Sequence, residues 1–428
     1  MFNRIKKIIL KTDHFLFKKF GSDKSIKFLE NIKEARLIFS YLNKNGEETV
    51  VRFVGGCVRK SLCGESIDDI DLATSLEPTE VKKKLINKNI VVVDTGISHG
   101  TVTAILNNKK FEITTLRKDT STDGRHANVK FTTNWKEDAS RRDFTINAIY
   151  ADIEGRIYDP LNGISDLRNG IVKFIGSPHE RIEEDYLRIL RYFRFFTQYS
   201  TQEHNSECIR SIKKNINGLN KISNERIFSE LKKILSLKKI LTLFLDQDAK
   251  DIILSIFPQF KFYNRLKNFN RLDEKIKNNY NYKLILALLV IDQTDNFDFF
   301  CYKYKTSNEI REKFKYISNN YKNLEKKQFY EKDNIKKLIY LSNKEKVKNL
   351  LFFSQCLKLK VVNFDFSELI KYTNFCVVPK FPISGDDLKK FGYESGPKLG
   401  TKLKMLEDKW IKSNFSLDAK QLENYLKH

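Results

Sequence analysis

The chain has little punctuation and no cross-linking pattern. Its 428 residues include only 17 Gly, 7 Pro and 6 Cys. The cysteines (Cys57, Cys63, Cys208, Cys301, Cys356 and Cys376) form no C-x-x-C pair, and no Cys/His spacing suits a metal site. They read as buried thiols in a reducing compartment rather than a disulfide framework. No apolar run approaches the ~18 residues that a membrane span needs. No G-x-x-x-x-G-K-[ST] is present, which disfavours ordinary P-loop NTPase chemistry. There is no internal repeat and no long low-complexity linker.

Positive charge is abundant. Lys+Arg is 78 against 54 Asp+Glu, a net charge of +24. Such a surplus favours a polyanionic partner, either nucleic acid or an anionic membrane surface. Richness in Lys, Asn, Ile and Phe equally reflects an AT-rich genome, so the motifs have to decide. Hydrophobic residues are 41% and aromatics 12%, enough for substantial cores. The length suggests two to four domains. Met1 to Phe20 is basic and amphipathic, but Lys-rich without the Arg/Ser bias of a transit peptide. It reads as a helical extension of a cytoplasmic protein.

Ser25 to Leu42 has helical apolar spacing. An α/β region follows. Val50–Val54, Ile67–Ala73, Ile90–Val93, Thr101–Leu106 and Lys110–Leu116 are expected strands. Cys57–Leu62 and Pro78–Leu85 are expected helices, the latter opened by its proline. Arg117 to Lys130 lacks periodicity and reads as a mobile loop. Glu137–Ile146 is expected to be helical, and Ala148–Tyr158 a hairpin turning at Glu154-Gly155. Beyond Pro160 the pattern is predominantly helical. Glu183–Phe196 is a strong helix, and from Glu225 to about Ile370 Gly and Pro are rare while apolar residues recur at i, i+3 and i+4.

The chemistry concentrates in FVGGCVRKSLCGESIDDIDLAT, Phe53 to Thr74. Asp69 and Asp71 lie two apart on an expected strand, so both side chains share one face, roughly 7 Å apart along the chain. Carboxylates so placed can share hard divalent cations such as Mg²⁺, although D-x-D pairs also occur on plain surfaces. Gly55-Gly56 sits between a strand and a short helix. There a phosphate can approach the backbone and meet free N–H groups at the helix start. Arg59, one turn on, can meet the same phosphates.

This segment resembles the first signature of the class II tRNA nucleotidyltransferase and bacterial poly(A) polymerase superfamily. The other family signatures follow in order: RRDFTINAI (Arg141–Ile149), DPLNGISDL (Asp159–Leu167), EEDYLRILRYFRF (Glu183–Phe195) and ISNERIFSELKKIL (Ile222–Leu235). The resemblance implies an α+β fold. A polymerase-β-like head, a mixed sheet with helices, is followed by an all-helical neck, body and tail in an elongated molecule. The expected boundaries are an extension at 1–24, head at 25–160, neck at 161–236, body at 237–380 and tail at 381–428. It also implies two Mg²⁺ ions on Asp69 and Asp71, with CTP and ATP as substrates and tRNA as partner. Glu112 is the candidate third carboxylate, or else an edge-strand surface residue. Arg142, Asp143 and Asn147 would meet the sugar and phosphates of the nucleotide, while Asp143 could also cap a helix.

Asp185 and Arg188, three apart on an expected helix, share a face. Cytosine and adenine each present an amino donor beside a ring acceptor, which a carboxylate and a guanidinium complement. Uracil and guanine mismatch both contacts, and unpaired buried polar groups discriminate strongly. A plain intrahelical salt bridge is the alternative. The resemblance assigns the pair to base selection. By helical spacing, Glu184 at i−4 can steer the Arg188 guanidinium, and Arg191 extends the same helix toward phosphates.

Within the superfamily, VVVDTGISHGTVTAIL lacks the L-I-G-R-R-F-like signature of bacterial poly(A) polymerases. Asp123, Gly124, Arg125 and His126 resemble part of the flexible loop that CC-only enzymes lack, with Arg125 and His126 as plain solvated loop residues the alternative. Full CCA addition is therefore expected. Poly(A) synthesis, partial CC or A addition, and a non-catalytic RNA-binding protein are the alternatives. No H-D phosphohydrolase motif follows the neck. Gly396-Pro397 and Gly400 introduce a Lys-bearing helix that either holds an RNA phosphate or packs as a hairpin on the body.

Overall fold

A computed structural model describes residues 32–43, 49–122, 127–357 and 365–426. It divides into two compact units, meeting in sequence at Pro258/Gln259. The flexible-loop residues Asp123, Gly124, Arg125 and His126 lie outside the described residues.

The first unit is built on a seven-stranded sheet. In chain order its strands are β1 (Val51–Val54), β2 (Ile70–Thr74), β3 (Val91–Gly96), β4 (Thr101–Leu106), β5 (Lys109–Thr115), β8 (Tyr150–Ala151) and β9 (Ile157–Tyr158). Their spatial order is β3-β4-β5-β2-β1-β8-β9. Only β2 and β5 pair in parallel; the other neighbours are antiparallel. Strand alternation sorts the side chains. Val51, Phe53, Ile70, Leu72, Phe111 and Ile113 enter one core with Ala35, Ile38 and Phe39 of α1 (Lys33–Leu42) and Val81 and Leu85 of α3 (Pro78–Ile86). Val54 and Ala73 face the other way, into a second core with Ala139, Ala148 and Tyr150. Asp71 and Glu112 alternate with residues of the first core and so belong to the second side.

Between β1 and β2 lies α2 (Gly56–Leu62). Gly55, at φ 69°, makes the turn into it, a backbone conformation that other residues adopt only at a cost. The expected mobile loop is different in its flanks. β6 (Arg117–Thr122) and β7 (Ala127–Phe131) pair as an antiparallel hairpin. Backbone pairing across the two arms supplied the order that neither arm's side-chain pattern announces.

The expected helix Glu137–Ile146 is also broken. α4 (Trp135–Ser140) is capped by the Asn134 side chain and ends at Arg141, and a separate 3-10 turn covers Thr145–Asn147. Asp143 therefore caps no helix; it accepts from Phe144 N–H and from the Asn147 side chain. α5 (Gly163–Arg168) and α6 (Pro178–Glu184) lead to α7 (Arg188–Tyr199), followed by α8 (Ser206–Asn215) and α9 (Asn224–Leu235).

The second unit is helical. Tyr282–Val290 is buried continuously from Leu284 to Val290, as its unbroken apolar sequence dictates. Near the chain's end, Gly385–Lys390, Pro397–Lys412 and Ala419–Glu423 enclose a small core of Ile383, Leu388, Leu406, Trp410, Ile411 and Leu422. Trp410 packs edge-on against Tyr340, at 5.5 Å between ring centroids. These last helices are thus seated on Lys332–Leu341. Among the described residues no helix is long and apolar enough to cross a membrane.

Candidate active site

Asp71 is the second residue of β2, and the parallel register sets it directly beside Glu112 of β5. Side chains paired in this way point to the same face of a sheet. Asp69 falls just before the strand, because β2 begins at Ile70, and it is exposed. The expectation that both aspartates ride one strand is corrected to that extent. Burial raises the Asp71 carboxyl, and the negative charges of Glu112 and Asp69 raise it further against Arg142 and Arg59, to about 6. The Gly-Gly turn adjoins this point: a Cβ on Gly56 would lie 3.9 Å from Asp71 Oδ2, and one on Gly55 3.5 Å from Arg142 Nη1. A loop without side chains leaves room there for a ligand.

Next to these carboxylates runs a buried web of opposite charges. Asp138, 1% exposed, accepts from Arg141, Arg142 and the Tyr150 hydroxyl. Burial disfavours its charge, but Arg142 and Arg141 outweigh that and hold it down to about 2. Asp143 is buried too. Arg191 Nε donates to it at 2.7 Å and Asn147 Nδ2 at 2.8 Å, and these hold it at about 2 against desolvation. Asn147 in turn accepts from Arg59. A continuous chain, Arg59–Asn147–Asp143–Arg191, therefore ties α2 to α7.

The proposed base readers depart from expectation. Asp185 and Arg188 do not lie on one helix. Asp185 ends α6 in extended conformation, at φ −153° and ψ 104°, and α7 starts at Arg188. Asp185 turns one oxygen to Leu187 N–H at 3.1 Å and the other to Arg226 Nη2 at 2.8 Å. Arg188 instead pairs with Glu184 and donates to the Arg181 carbonyl at 2.8 Å. The plain Asp185–Arg188 salt bridge is thus absent, and each reader has its own neighbour. Tyr186 packs so closely on Gly218 that a Cβ there would meet its ring at 2.0 Å.

With that geometry in hand, the chain can be set beside known proteins. Its residues 51–173 match the family model described as the poly A polymerase head domain, and 205–263 that described as a probable RNA and SrmB-binding site of polymerase A. It is 33% identical over 408 residues to the mitochondrial CCA tRNA nucleotidyltransferase 1 of Mus musculus, covering 94% of this chain and 90% of that one. The chain belongs to the tRNA nucleotidyltransferase and poly(A) polymerase family. Another relative, a CCA-adding enzyme of Streptococcus gordonii, is 33% identical over 393 residues, 88% of this chain and 92% of that one. The fold agrees as well. The Bacillus stearothermophilus CCA-adding enzyme in complex with CTP superposes with a TM-score of 0.71 at 22% identity, over 92% of this chain and 96% of that one. The Thermotoga maritima enzyme complexed with tRNA gives 0.63 at 20%, over 94% and 98%.

Several residues of this family member's site escaped the sequence reading. Arg226 lies within ISNERIFSELKKIL, and its ion pair with Asp185 spans 41 residues. Asp138 lies inside the expected helix Glu137–Ile146, and its partners Arg142 and Tyr150 are set by the fold. Arg194, which pairs with Glu230, had a signal: it continues the three-residue spacing of Arg188 and Arg191.

Proposed function

We infer that this protein is a CCA tRNA nucleotidyltransferase, transferring CMP twice and then AMP from CTP and ATP to the 3′ end of tRNA without a nucleic-acid template. The observation that carries the reading is the Asp71–Glu112 pairing beside the Gly-Gly turn, in a chain aligned along 94% of its length with an enzyme of that name.

The donor set suits Mg²⁺. Among the described residues no three His, Cys, Asp or Glu side chains enclose an ion by themselves. Mg²⁺ is commonly held by one or two carboxylates, with water and phosphate oxygens completing its shell. The crowding of negative charge that raises Asp71 also marks a place built for a cation. Asp69 and Asp71 are the proposed ligands, with Glu112 close by. Two bound ions would supply activation of the RNA 3′-hydroxyl and charge neutralisation at the triphosphate.

The chain's own residues do the rest. Gly55 and Gly56 let phosphates approach the backbone, and Arg59, Arg142 and Arg191 offer them guanidinium donors. Asp143 and Asn147 hold Arg191 and Arg59 in place and face the sugar. Asp185 accepts from the amino group of cytosine or adenine, while Arg188 donates to the ring nitrogen beside it. Uracil and guanine leave both contacts mismatched. Asp123, Gly124, Arg125 and His126 are the proposed loop that accompanies the change from C to A. The Lys-bearing helix from Pro397 is a proposed contact for the tRNA backbone.

The assay offers tRNAs ending before CCA, after the first C and after both Cs, with CTP and ATP, and sequences the products. Completed CCA ends on all three are expected. Long A-tails, which the poly(A) head-domain match would favour, or products halted at CC would replace the assignment, and no extension would leave an RNA-binding module. Cytoplasmic location is proposed from the unpaired thiols among the described residues. Cell fractionation tests it, since a relative is named mitochondrial.

A further inference from the structure

Three guanidinium groups converge on one aromatic ring. Phe195 of α7 is 2% exposed. Cζ of Arg194 stands 4.0 Å from its ring centroid, that of Arg59 4.6 Å and that of Arg191 5.3 Å. Arg59 comes from α2 and the other two from α7, so the ring sits where the Gly-Gly helix meets the base-reading helix. Like charges this close repel, and burial removes the water that would screen them.

Two carboxylates accompany the three cations. Asp143 takes Arg191 and Glu230 takes Arg194. Arg59 is bonded to the neutral amide of Asn147, and its buried Nε has no hydrogen-bond partner. It is 4% exposed, and its guanidinium also lies over Tyr199, at 5.0 Å. The cluster therefore holds one more cation than carboxylates bonded to it directly; Glu65 reaches Arg59 only through the Tyr199 hydroxyl, which donates to Glu65 at 3.0 Å. The negative faces of an aromatic ring attract guanidinium groups without neutralising them. Such a ring gathers positive charge and leaves it available to an anion.

We propose that Phe195 is a positioning residue: its ring gathers Arg59, Arg191 and Arg194 into a preformed receptor for the phosphates of the incoming nucleotide. This rests on the reading above that Arg59 and Arg191 meet those phosphates. The ring touches no substrate itself; it acts through the arginines.

The test replaces Phe195 in the full chain with phenylalanine analogues of increasing fluorination, which drain the ring's negative faces with little change in size. KM for CTP and ATP should rise stepwise to roughly tenfold, with kcat, C/A selectivity and melting temperature nearly constant. Phe195→Leu should match the most fluorinated ring in KM. A KM that stays flat across the series, or rises only in step with a falling melting temperature, overturns the proposal. Arg59→Ala separates the two layers. If it leaves KM unchanged, the phosphate reading itself is wrong; if it raises KM while the fluorinated series stays flat, only the role of Phe195 is lost.

Discussion

Two acidic regions lie within one sheet's reach and behave in opposite ways. Around Asp71, carboxylates stand beside one another and burial pushes the carboxyl up to about 6. In the helix and turn that follow, Asp138 and Asp143 are more deeply buried, yet each is held at about 2. The difference is company rather than depth. Asp138 has Arg141, Arg142 and the Tyr150 hydroxyl; Asp143 has Arg191 and Asn147. Asp71 has Glu112 across the ladder. One region is satisfied within the protein and serves as scaffold. The other is left electrostatically unfinished, which is the ground for the cation site proposed above.

The comparison breaks most visibly at Asp71. Asp71→Ala should lower nucleotide addition by on the order of a thousandfold or more, while tRNA binding and melting temperature hold. Turnover near wild type would remove Asp71 from catalysis.

Acid should act on the other region. A carboxyl depressed in the fold contributes stability that is present above its ordinary value near 3.8 and is lost as pH falls toward 2. Asp138 and Asp143 should each contribute on the order of 2 kcal/mol at neutral pH. Urea midpoints should therefore fall between about pH 4 and 2, and less steeply in Asp138→Asn. Parallel curves for that variant and the wild type would show that Asp138 is not the scaffold acid described.

The smallest effect is expected at the rim, where Arg226 and Asp185 are partly exposed. Arg226→Gln should relax discrimination against UTP by no more than about fivefold, the range of a solvent-exposed ion pair. Unchanged selectivity would mean that Asp185 keeps its orientation through Leu187 N–H alone.

The head's strands were largely legible because period-two alternation is local. Thr101–Leu106 has the expected bounds, and Val51–Val54 and Lys109–Thr115 differ from expectation by one residue at one or both ends. Local pattern misleads where tertiary context overrides it. Glu183–Phe196 looks helical throughout, yet the helix parts at Asp185, whose side chain accepts from Leu187 N–H and Arg226. RRDFTIN looks like a helix end, but its polar side chains bond to partners in α2 and α7 instead of extending the helix. The arms flanking Asp123–His126 carry no alternation, because their strand order comes from pairing with each other.

By itself the sequence determined the inventory and its spacing: Gly55-Gly56, Arg59, Asp69, Asp71, the RRD and DYLR segments, and the family they announce. Those are short-range features, and short-range chemistry can be read along a chain. Only the tertiary structure decided which of these groups face each other. Strand register set Asp71 beside Glu112, and helix packing brought Arg59 to the ring of Phe195. Each contact joins residues tens to more than a hundred positions apart, and such pairings are chosen by the burial of whole sheet and helix faces, not by neighbours in the chain.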